Sequence, residues 1–178
     1  INSYMGLRKS SKSDSGHIDK LLRFALKSCE DIRDEIFLQL IKQTNNNPSN
    51  EALVKGWKLI SICCSIFPPS DQLCPYIASH LFTKTKEAGS IGQFAEFSLK
   101  ALDRTMEYGQ RRIQPLNMEI ERIINREYIN IKVYFLDGTF RTLLITSQTR
   151  AVQIRDALKK ALRLNYGESF SLFEMEEP

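Results

Sequence analysis

The chain of 178 residues has few of the residues that build metal sites. It contains two histidines, His17 and His80, and no Cys-x-x-Cys pair. Its four cysteines are Cys29, Cys63, Cys64 and Cys74. A zinc site needs clustered thiolate or imidazole ligands, so this distribution argues against one. Adjacent free cysteines inside an apolar run behave as small hydrophobic residues, and we expect a reducing, cytoplasmic compartment.

Long apolar runs are also missing. No stretch of 18 apolar residues occurs and the amino terminus has no signal-peptide pattern, so we expect no transmembrane segment. The first residue is isoleucine rather than methionine, which indicates a piece of a longer protein.

Charge of one sign does not dominate the chain. Lys and Arg number 25 against 21 Asp and Glu, a net charge of +4, which permits an acidic partner without requiring one. A dedicated nucleic-acid binder is more basic and interleaves aromatic with basic residues, so we expect no nucleic-acid partner.

Catalytic motifs are absent from the sequence. Neither Gly-x-Ser-x-Gly nor His-Glu-x-x-His is present. Asp34 and Glu35 are neighbours, but adjacent residues on a helix point about 100° apart and do not share a site. An enzyme built from Arg33, Asp34, Glu35 and His80 is the weakest hypothesis, and His80 is better interpreted as a packing or surface residue. We expect no enzymatic activity, no cofactor and no metal.

The first two thirds of the chain show helical periodicity. Apolar residues recur at steps of three and four over residues 18–43, and the run Asn45–Pro48 predicts the end of that helix. Further helical patterns begin near Asn50, Ser70, Ser90 and Leu116. The pattern after Asn50 is apolar over most of its circumference, which predicts a central core helix. Short connections favour antiparallel neighbours in a bundle.

The periodicity changes near residue 126. Residues 128–135 alternate between apolar and polar, Asp137-Gly138 is a hairpin turn signal, and residues 140–145 return as a second strand. An amphipathic helix starts at Ala151, and Phe170–Glu174 reads as a third strand. This order begins a ubiquitin-like β-grasp without its closing strands. The predicted fold is mainly α: a helical bundle at 1–126 followed by a partial ubiquitin-like β-grasp (α+β) unit at 127–178.

Scattered basic residues are the candidate partner-binding surface. Ordinary solvation explains each group by itself, whereas convergence on one face would attract an acidic polymer or peptide. The candidates are Arg8, Lys9, Lys12, Lys84, Lys86, Arg111, Arg112, Arg122, Arg126, Lys159, Lys160 and Arg163. The last three, on the predicted β-grasp helix, also suit anionic lipid headgroups.

The segment RDEIFLQLIKQTNNNP, Arg33–Pro48, carries charge beside one apolar helix face. We interpret its charged residues as ties between helices rather than as an active site. Glu35 is spaced to reach Gln39, and Arg33 is expected to pair with a carboxylate on an adjacent helix.

Three strings in matching order and spacing resemble the myosin tail homology 4 (MyTH4) domain. They are IxxYMG at Ile1–Gly6, RDEIFLQLIKQTNNNP at Arg33–Pro48 and GWKLISICCSIFPPS at Gly56–Ser70. VYFLDGTFRTLLI, followed by a helix and FSLFE, resembles the first, ubiquitin-like lobe of a FERM module. The pair resembles the cargo-binding tails of unconventional myosins of classes VII, X and XV, of a related kinesin family and of some pleckstrin-homology adaptors.

The resemblance implies a non-catalytic interaction module of a cytoskeletal motor tail, cytoplasmic and associated with the cytoskeleton. The implied partners are cargo or scaffold protein segments, microtubules through their acidic tubulin tails, and the parent motor domain. The alternative is a membrane-proximal cytoskeletal adaptor without a motor, binding anionic lipid or acidic peptide. The family's characteristic positions, mostly architectural, match Arg33, Asp34, Glu35, Gln39, Lys42, Gln43, Gly56, Trp57, Pro68 and Pro69.

The sequence departs from the family pattern near its start. Leu7 stands where an acidic residue is common, and a basic, serine-rich segment follows it. The resemblance further implies that the helical domain lacks its first helices and that the second and third FERM lobes are absent.

Overall fold

The computed structural model describes residues 1–165 and 171–174. The chain divides into two compact units, Ile1–Glu127 and Tyr128–Pro178. Helices of the first unit are α1 Asp14–Lys27, α2 Glu30–Thr44, α3 Asn50–Ile66, α4 Cys74–Lys84, α5 Ser90–Tyr108 and α6 Asn117–Asn125. Elements of the second unit are β1 Ile129–Tyr134, β2 Phe140–Ile145 and α7 Ala151–Ala161. A helical bundle followed by a partial β-grasp unit is therefore confirmed.

The single helix predicted over residues 18–43 is instead two helices, α1 and α2, that separate at Ser28. Ser28 takes an extended conformation with ψ of 160°, and its hydroxyl donates to the carbonyl of Phe24 at 2.8 Å. The guanidinium of Arg33 donates to the Ser28 carbonyl at 3.0 Å, which satisfies an acceptor at the helix end. The pattern missed this break because apolar residues keep helical spacing on both sides of it.

The end of α2 agrees with the prediction from its asparagine-rich run. The helix ends at Thr44, and Asn46 adopts a left-handed φ of 52°, a conformation that asparagine tolerates better than most residues.

Helix α3 forms the centre of the first unit. Every residue from Leu59 to Ile66 is buried, so the helix is enclosed all round, as its apolar circumference predicts. Two polar ties fix α5 along it. The hydroxyls of Ser61 and Ser98 lie 2.9 Å apart, and the Thr105 hydroxyl donates to the carbonyl of Cys64 at 2.6 Å. Because these polar groups are paired, their burial inside the core carries little penalty.

The second unit contains an antiparallel hairpin and α7. In the hairpin Ile129 lies opposite Ile145, and Tyr134 lies opposite Phe140. Gly138 has a φ of 80°, a left-handed value that glycine adopts without strain, so the predicted turn is confirmed.

The third strand predicted over Phe170–Glu174 is not found. Phe170 lies outside the described residues, and residues 171–174 form no strand. In the described part of the chain the sheet has the two strands β1 and β2. A segment with an alternating apolar pattern forms a strand only where a neighbouring strand edge offers backbone groups for hydrogen bonding. The sequence pattern does not reveal whether such an edge is present.

Among the helices that the structure describes, none combines the length and the apolar character needed to cross a membrane.

Candidate functional site

Asp34 and Glu35, which form the strongest charged motif of the sequence, make structural contacts. The Oδ1 atom of Asp34 accepts a hydrogen bond from the backbone N–H of Ser70 at 2.7 Å, which ties α2 to the segment before α4. The Nε2 atom of Gln39 donates to Oε1 of Glu35 at 2.7 Å along α2, as the spacing predicts. The two carboxylates therefore serve different partners and do not form one site.

Arg33 does not bind the carboxylate that was expected for it. Its Nη1 atom donates to the side-chain oxygen of Gln110 at 3.0 Å, besides the helix-end carbonyl described above. A guanidinium donates hydrogen bonds to any well-placed oxygen, and the break after α1 provides the uncharged carbonyl oxygen of Ser28. Within the described residues no hydrogen bond or ion pair joins Arg33, Asp34 or Glu35 to His80, so these four do not meet in a catalytic arrangement.

Gly56 and Trp57 are fixed by close packing. A Cβ atom at Gly56 would lie 2.6 Å from Cγ2 of Thr44 and 3.0 Å from Cε of Met5, so α3 approaches its neighbours too closely for a side chain. Trp57 is fully buried and stacks on the His80 ring, with centroids 5.8 Å apart. Burial is the main cause that lowers the pKa of His80, which keeps the imidazole neutral. His80 is thus a packing residue, as predicted.

The remaining motif positions lie at helix ends. Lys42 is exposed in the last turn of α2, where a cation suits the helix dipole. The carbonyl of Gln43 accepts a hydrogen bond from Asn47 at 2.9 Å. Pro68 and Pro69 follow Phe67, the C-cap of α3, at positions where a proline cannot continue the helix.

Four of the predicted cations are engaged by neighbouring side chains in the first unit. The pairs are Lys84 with Glu87, Arg111 with Glu119, Arg122 with Glu127, and Arg126 with Gln93 and the ring of Phe94. A cation that is already neutralised by a carboxylate adds little to the external field. Three of these four residues are therefore poor candidates for attracting an acidic partner.

The other predicted cations make no ion pair within the described part of the chain. They are Arg8, Lys9, Lys12, Lys86, Arg112, Lys159, Lys160 and Arg163. The ammonium of Lys86 lies 5.3 Å from the ring centre of Phe82, an attractive contact that leaves its charge uncancelled.

Arg8, Lys9 and Lys12 lie together in the segment Leu7–Lys12, which we call the basic loop. All of its residues are exposed. The loop ends where Ser13 caps α1 by accepting a hydrogen bond from the backbone N–H of Gly16 at 3.2 Å. Three cations without an ion pair lie within five positions here, as they do at Lys159, Lys160 and Arg163, but only in the basic loop are all three exposed.

The residues that flank the basic loop line a cavity of about 320 Å³. Tyr4 precedes the loop, and Asp14 and Ser15 follow it. Helices α1, α3 and α6 complete the lining with Ile18, Lys58, Asn117, Ile120, Glu121 and Ile124. Sequence analysis missed this cavity because its lining comes from segments more than 100 residues apart, brought together only by folding.

Two residues that line this cavity, Tyr4 and Asp14, interact with Lys55. The Lys55 ammonium lies 3.2 Å from Oδ2 of Asp14 and 5.8 Å from the ring centre of Tyr4. Burial, and secondly the negative charge of Asp14, raises the pKa of Tyr4 to about 12. Tyr4 is therefore a neutral phenol near pH 7. A lining that combines three isoleucines with polar side chains suits a single apolar side chain flanked by polar groups.

The second unit presents a separate basic group. Lys160 and Arg163 are exposed near the end of α7, and Lys159 is half-buried. Lys159 also lines a mostly apolar cavity of about 250 Å³. Its other lining residues are Phe135, Arg155, Leu158, Leu162, Leu164, Ser171 and Leu172.

Metal-binding and nucleophilic groups are not assembled in the described structure. No group of three or more histidine, cysteine or acidic residues that could hold a metal ion occurs among the described residues. Burial raises the pKa of Cys63 to about 12 and that of Cys64 well above its usual value, so both are neutral thiols near pH 7. A neutral thiol is a weak nucleophile.

Comparison with known families gives two matches. Residues 18–122 match the MyTH4 domain, and residues 127–177 match an RA like domain. Kinesin-like protein KIN-14E of Arabidopsis thaliana is 33% identical over 98% of this chain, which spans 14% of that protein. Unconventional myosin heavy chain 6 of Caenorhabditis elegans is 34% identical over 81% of this chain, which spans 7% of it. The chain is thus similar to a small part of long motor proteins.

Solved structures show the same architecture. The Dictyostelium discoideum myosin VII MyTH4-FERM MF1 domain superposes with a TM-score of 0.77 at 30% identity, over 91% of this chain and 34% of that one. The human myosin 7b C-terminal MyTH4-FERM domain, solved in complex with the harmonin-a PDZ3 domain, superposes with a TM-score of 0.75 at 25% identity. The superposed region includes 94% of this chain and 34% of the myosin 7b chain.

Proposed function

The chain belongs to the MyTH4 domain family, and from this premise we propose that it is a non-catalytic protein-interaction module of a cytoskeletal motor tail. Residues 1–126 would form the helical domain and residues 127–178 the start of the FERM first lobe. The kinesin and myosin relatives support a motor tail associated with the cytoskeleton, and the myosin 7b domain bound to a PDZ domain supports a protein partner.

The observation that carries the proposal is the basic loop beside the cavity. Arg8, Lys9 and Lys12 are exposed and unpaired within the described residues, so their field reaches an approaching partner. The neighbouring cavity of about 320 Å³ is lined by isoleucines and polar side chains, a combination that suits one apolar side chain flanked by polar groups. Together they suit an acidic segment of a cargo or scaffold protein that carries an apolar anchor.

Microtubules are the more specific partner that the free cations favour. Tubulin presents acidic tails, and a loop with three uncompensated cations would attract them without a deep pocket. The parent motor domain is a further candidate if it offers an acidic surface. In each case attraction between exposed charges weakens as salt rises.

Co-sedimentation with taxol-stabilised microtubules tests this partner. We expect the chain to pellet with microtubules at low salt and to leave the pellet progressively as salt rises. Failure to pellet at low salt would exclude microtubules as a partner of this chain. Pelleting that does not change with salt would show that the free cations do not drive the binding.

The alternative is a membrane-proximal adaptor that binds anionic lipid through the second unit. Lys160 and Arg163 are exposed, and Lys159 borders a mostly apolar cavity, which together suit a headgroup and part of an acyl chain. Flotation with phosphatidylserine vesicles and with phosphatidylcholine vesicles separates this from the motor-tail proposal. Flotation with the anionic vesicles alone supports the adaptor, and absence of flotation with both excludes it.

A further inference from the structure

The basic loop and the first residues after it contain serines whose hydroxyls differ in their contacts. Ser10 Oγ accepts a hydrogen bond from the backbone N–H of Lys12 at 3.2 Å. Ser13 Oγ caps α1, and Ser15 Oγ lies 3.1 Å from it. Ser11 is exposed, and its hydroxyl makes no hydrogen bond to any described residue. Of the serines in this stretch, Ser11 thus has the most accessible nucleophilic oxygen.

The charges around Ser11 have the arrangement that a kinase with an acidic substrate groove recognises. Arg8 lies three residues before it and Lys9 two residues before it. Both side chains are exposed and make no ion pair within the described residues, so they are free to bind carboxylates of another protein. Charge patterns of this kind are a main source of kinase specificity, since a bidentate Arg–carboxylate contact fixes both position and orientation.

We propose that Ser11 is a phosphorylation site for a protein kinase that selects basic residues upstream of its target, and that the phosphate weakens the attraction of the basic loop for acidic partners. The Ser11 oxygen would attack the γ-phosphorus of ATP, forming one O–P bond while the bond to the β-phosphate oxygen breaks. ADP leaves, and the hydroxyl proton passes to the carboxylate base of the kinase.

The consequence for charge follows from the position of the phosphate. A phosphoserine carries about −1.5 to −2 charges at pH 7, enough to offset roughly half to two thirds of the +3 charge of Arg8, Lys9 and Lys12. It also lies two residues before the cap of α1, where an anion is favoured by the helix dipole. The phosphate is therefore tolerated at this position while it weakens the attraction of the loop for an acidic partner.

Phosphate transfer is tested on the complete chain with the catalytic subunit of cyclic-AMP-dependent protein kinase and ATP, with the modified residue located by mass spectrometry. We expect phosphate on Ser11, no incorporation there in Ser11→Ala, and unchanged incorporation at Ser11 in the matched control Ser10→Ala. Arg8→Ala should slow incorporation by roughly tenfold or more, because it removes a charge-assisted contact with the kinase. Phosphate only on Ser10 or Ser13, or an Arg8→Ala rate equal to that of the wild type, would overturn the assignment.

The proposed phosphorylation switch rests on the proposed function. An experiment without a natural partner distinguishes failure of the switch from failure of that function. Retention on a polyglutamate column measures the loop's charge without any natural partner. Phosphorylated wild type should elute at lower salt than kinase-treated Ser11→Ala, and equal elution would refute the switch. Earlier elution of the phosphorylated chain from polyglutamate, together with no pelleting of the unmodified chain with microtubules, would exclude microtubules as the partner while supporting the charge-based switch.

Discussion

The carboxylate of Asp34 lies 2.7 Å from the backbone nitrogen of Ser70, 36 residues further along the chain. Ser70 is buried and follows the two prolines that end α3, so this contact holds the entry to α4 against α2. A charged acceptor on a backbone N–H is among the stronger hydrogen bonds in proteins. The motif that most clearly identifies the family therefore acts in the architecture of the bundle.

Asp34→Ala should destabilise the chain by about 1.5 to 3 kcal/mol, because it leaves a backbone donor without its charged partner. Thermal unfolding measures this, with Asp34→Asn as a control that keeps an acceptor oxygen and should lose less. Partner binding well below the melting temperature should stay unchanged. An Asp34→Ala chain of normal stability that no longer binds its partner would assign this residue to the interface instead.

Gly56→Ala should destabilise the bundle, because the new methyl would lie 2.6 Å from Cγ2 of Thr44. Overpacking of this kind costs about 1 to 3 kcal/mol, which exceeds the gain of up to about 1 kcal/mol in helix propensity. Chemical denaturation gives the free energy of unfolding. Adding Thr44→Ser, which removes that methyl and keeps the hydroxyl, should recover part of the loss, and strictly additive effects would contradict the packing explanation.

Stability should fall as the pH rises from about 10 toward about 12, because of Tyr4. Burial raises its pKa in the folded chain to about 12, whereas the unfolded phenol ionises near its usual value of 10. The unfolded state therefore loses its proton first, and this favours unfolding over that range. Denaturation midpoints across alkaline pH measure the slope. Tyr4→Phe should make it shallower than in the wild type, and an identical slope would show that Tyr4 does not contribute.

Much of the fold follows from local pattern. Trp57 and the run from Leu59 to Ile66 are buried as their apolar spacing predicts, and Asp137-Gly138 turns as its sequence requires. These features depend on periodicity and on left-handed turn conformations, which neighbouring residues determine. The break at Ser28 does not, because Arg33 stabilises it by reaching a carbonyl five residues earlier.

The candidate site was less predictable from sequence than the fold. Arg8, Lys9 and Lys12 are identifiable as a cluster in the sequence. Whether an acidic residue pairs with them can be seen only in the folded structure, where the positions of the carboxylates are known. Arg111 looks equally available in the sequence, but in the structure its Nη2 atom forms an ion pair with Oε2 of Glu119 at 3.2 Å. Pairing across eight residues and lining of a cavity by three helices are consequences of tertiary packing.

The most direct test of the central claim compares two triple variants in microtubule co-sedimentation at low salt. One removes the free cations of the basic loop, through Arg8→Ala, Lys9→Ala and Lys12→Ala. The matched control removes three other exposed cations that make no ion pair within the described residues, through Lys20→Ala, Lys27→Ala and Lys42→Ala, so that net charge falls equally. We predict loss of pelleting for the loop variant and near-normal pelleting for the control. Equal binding by both variants would contradict a partner-binding role for the basic loop.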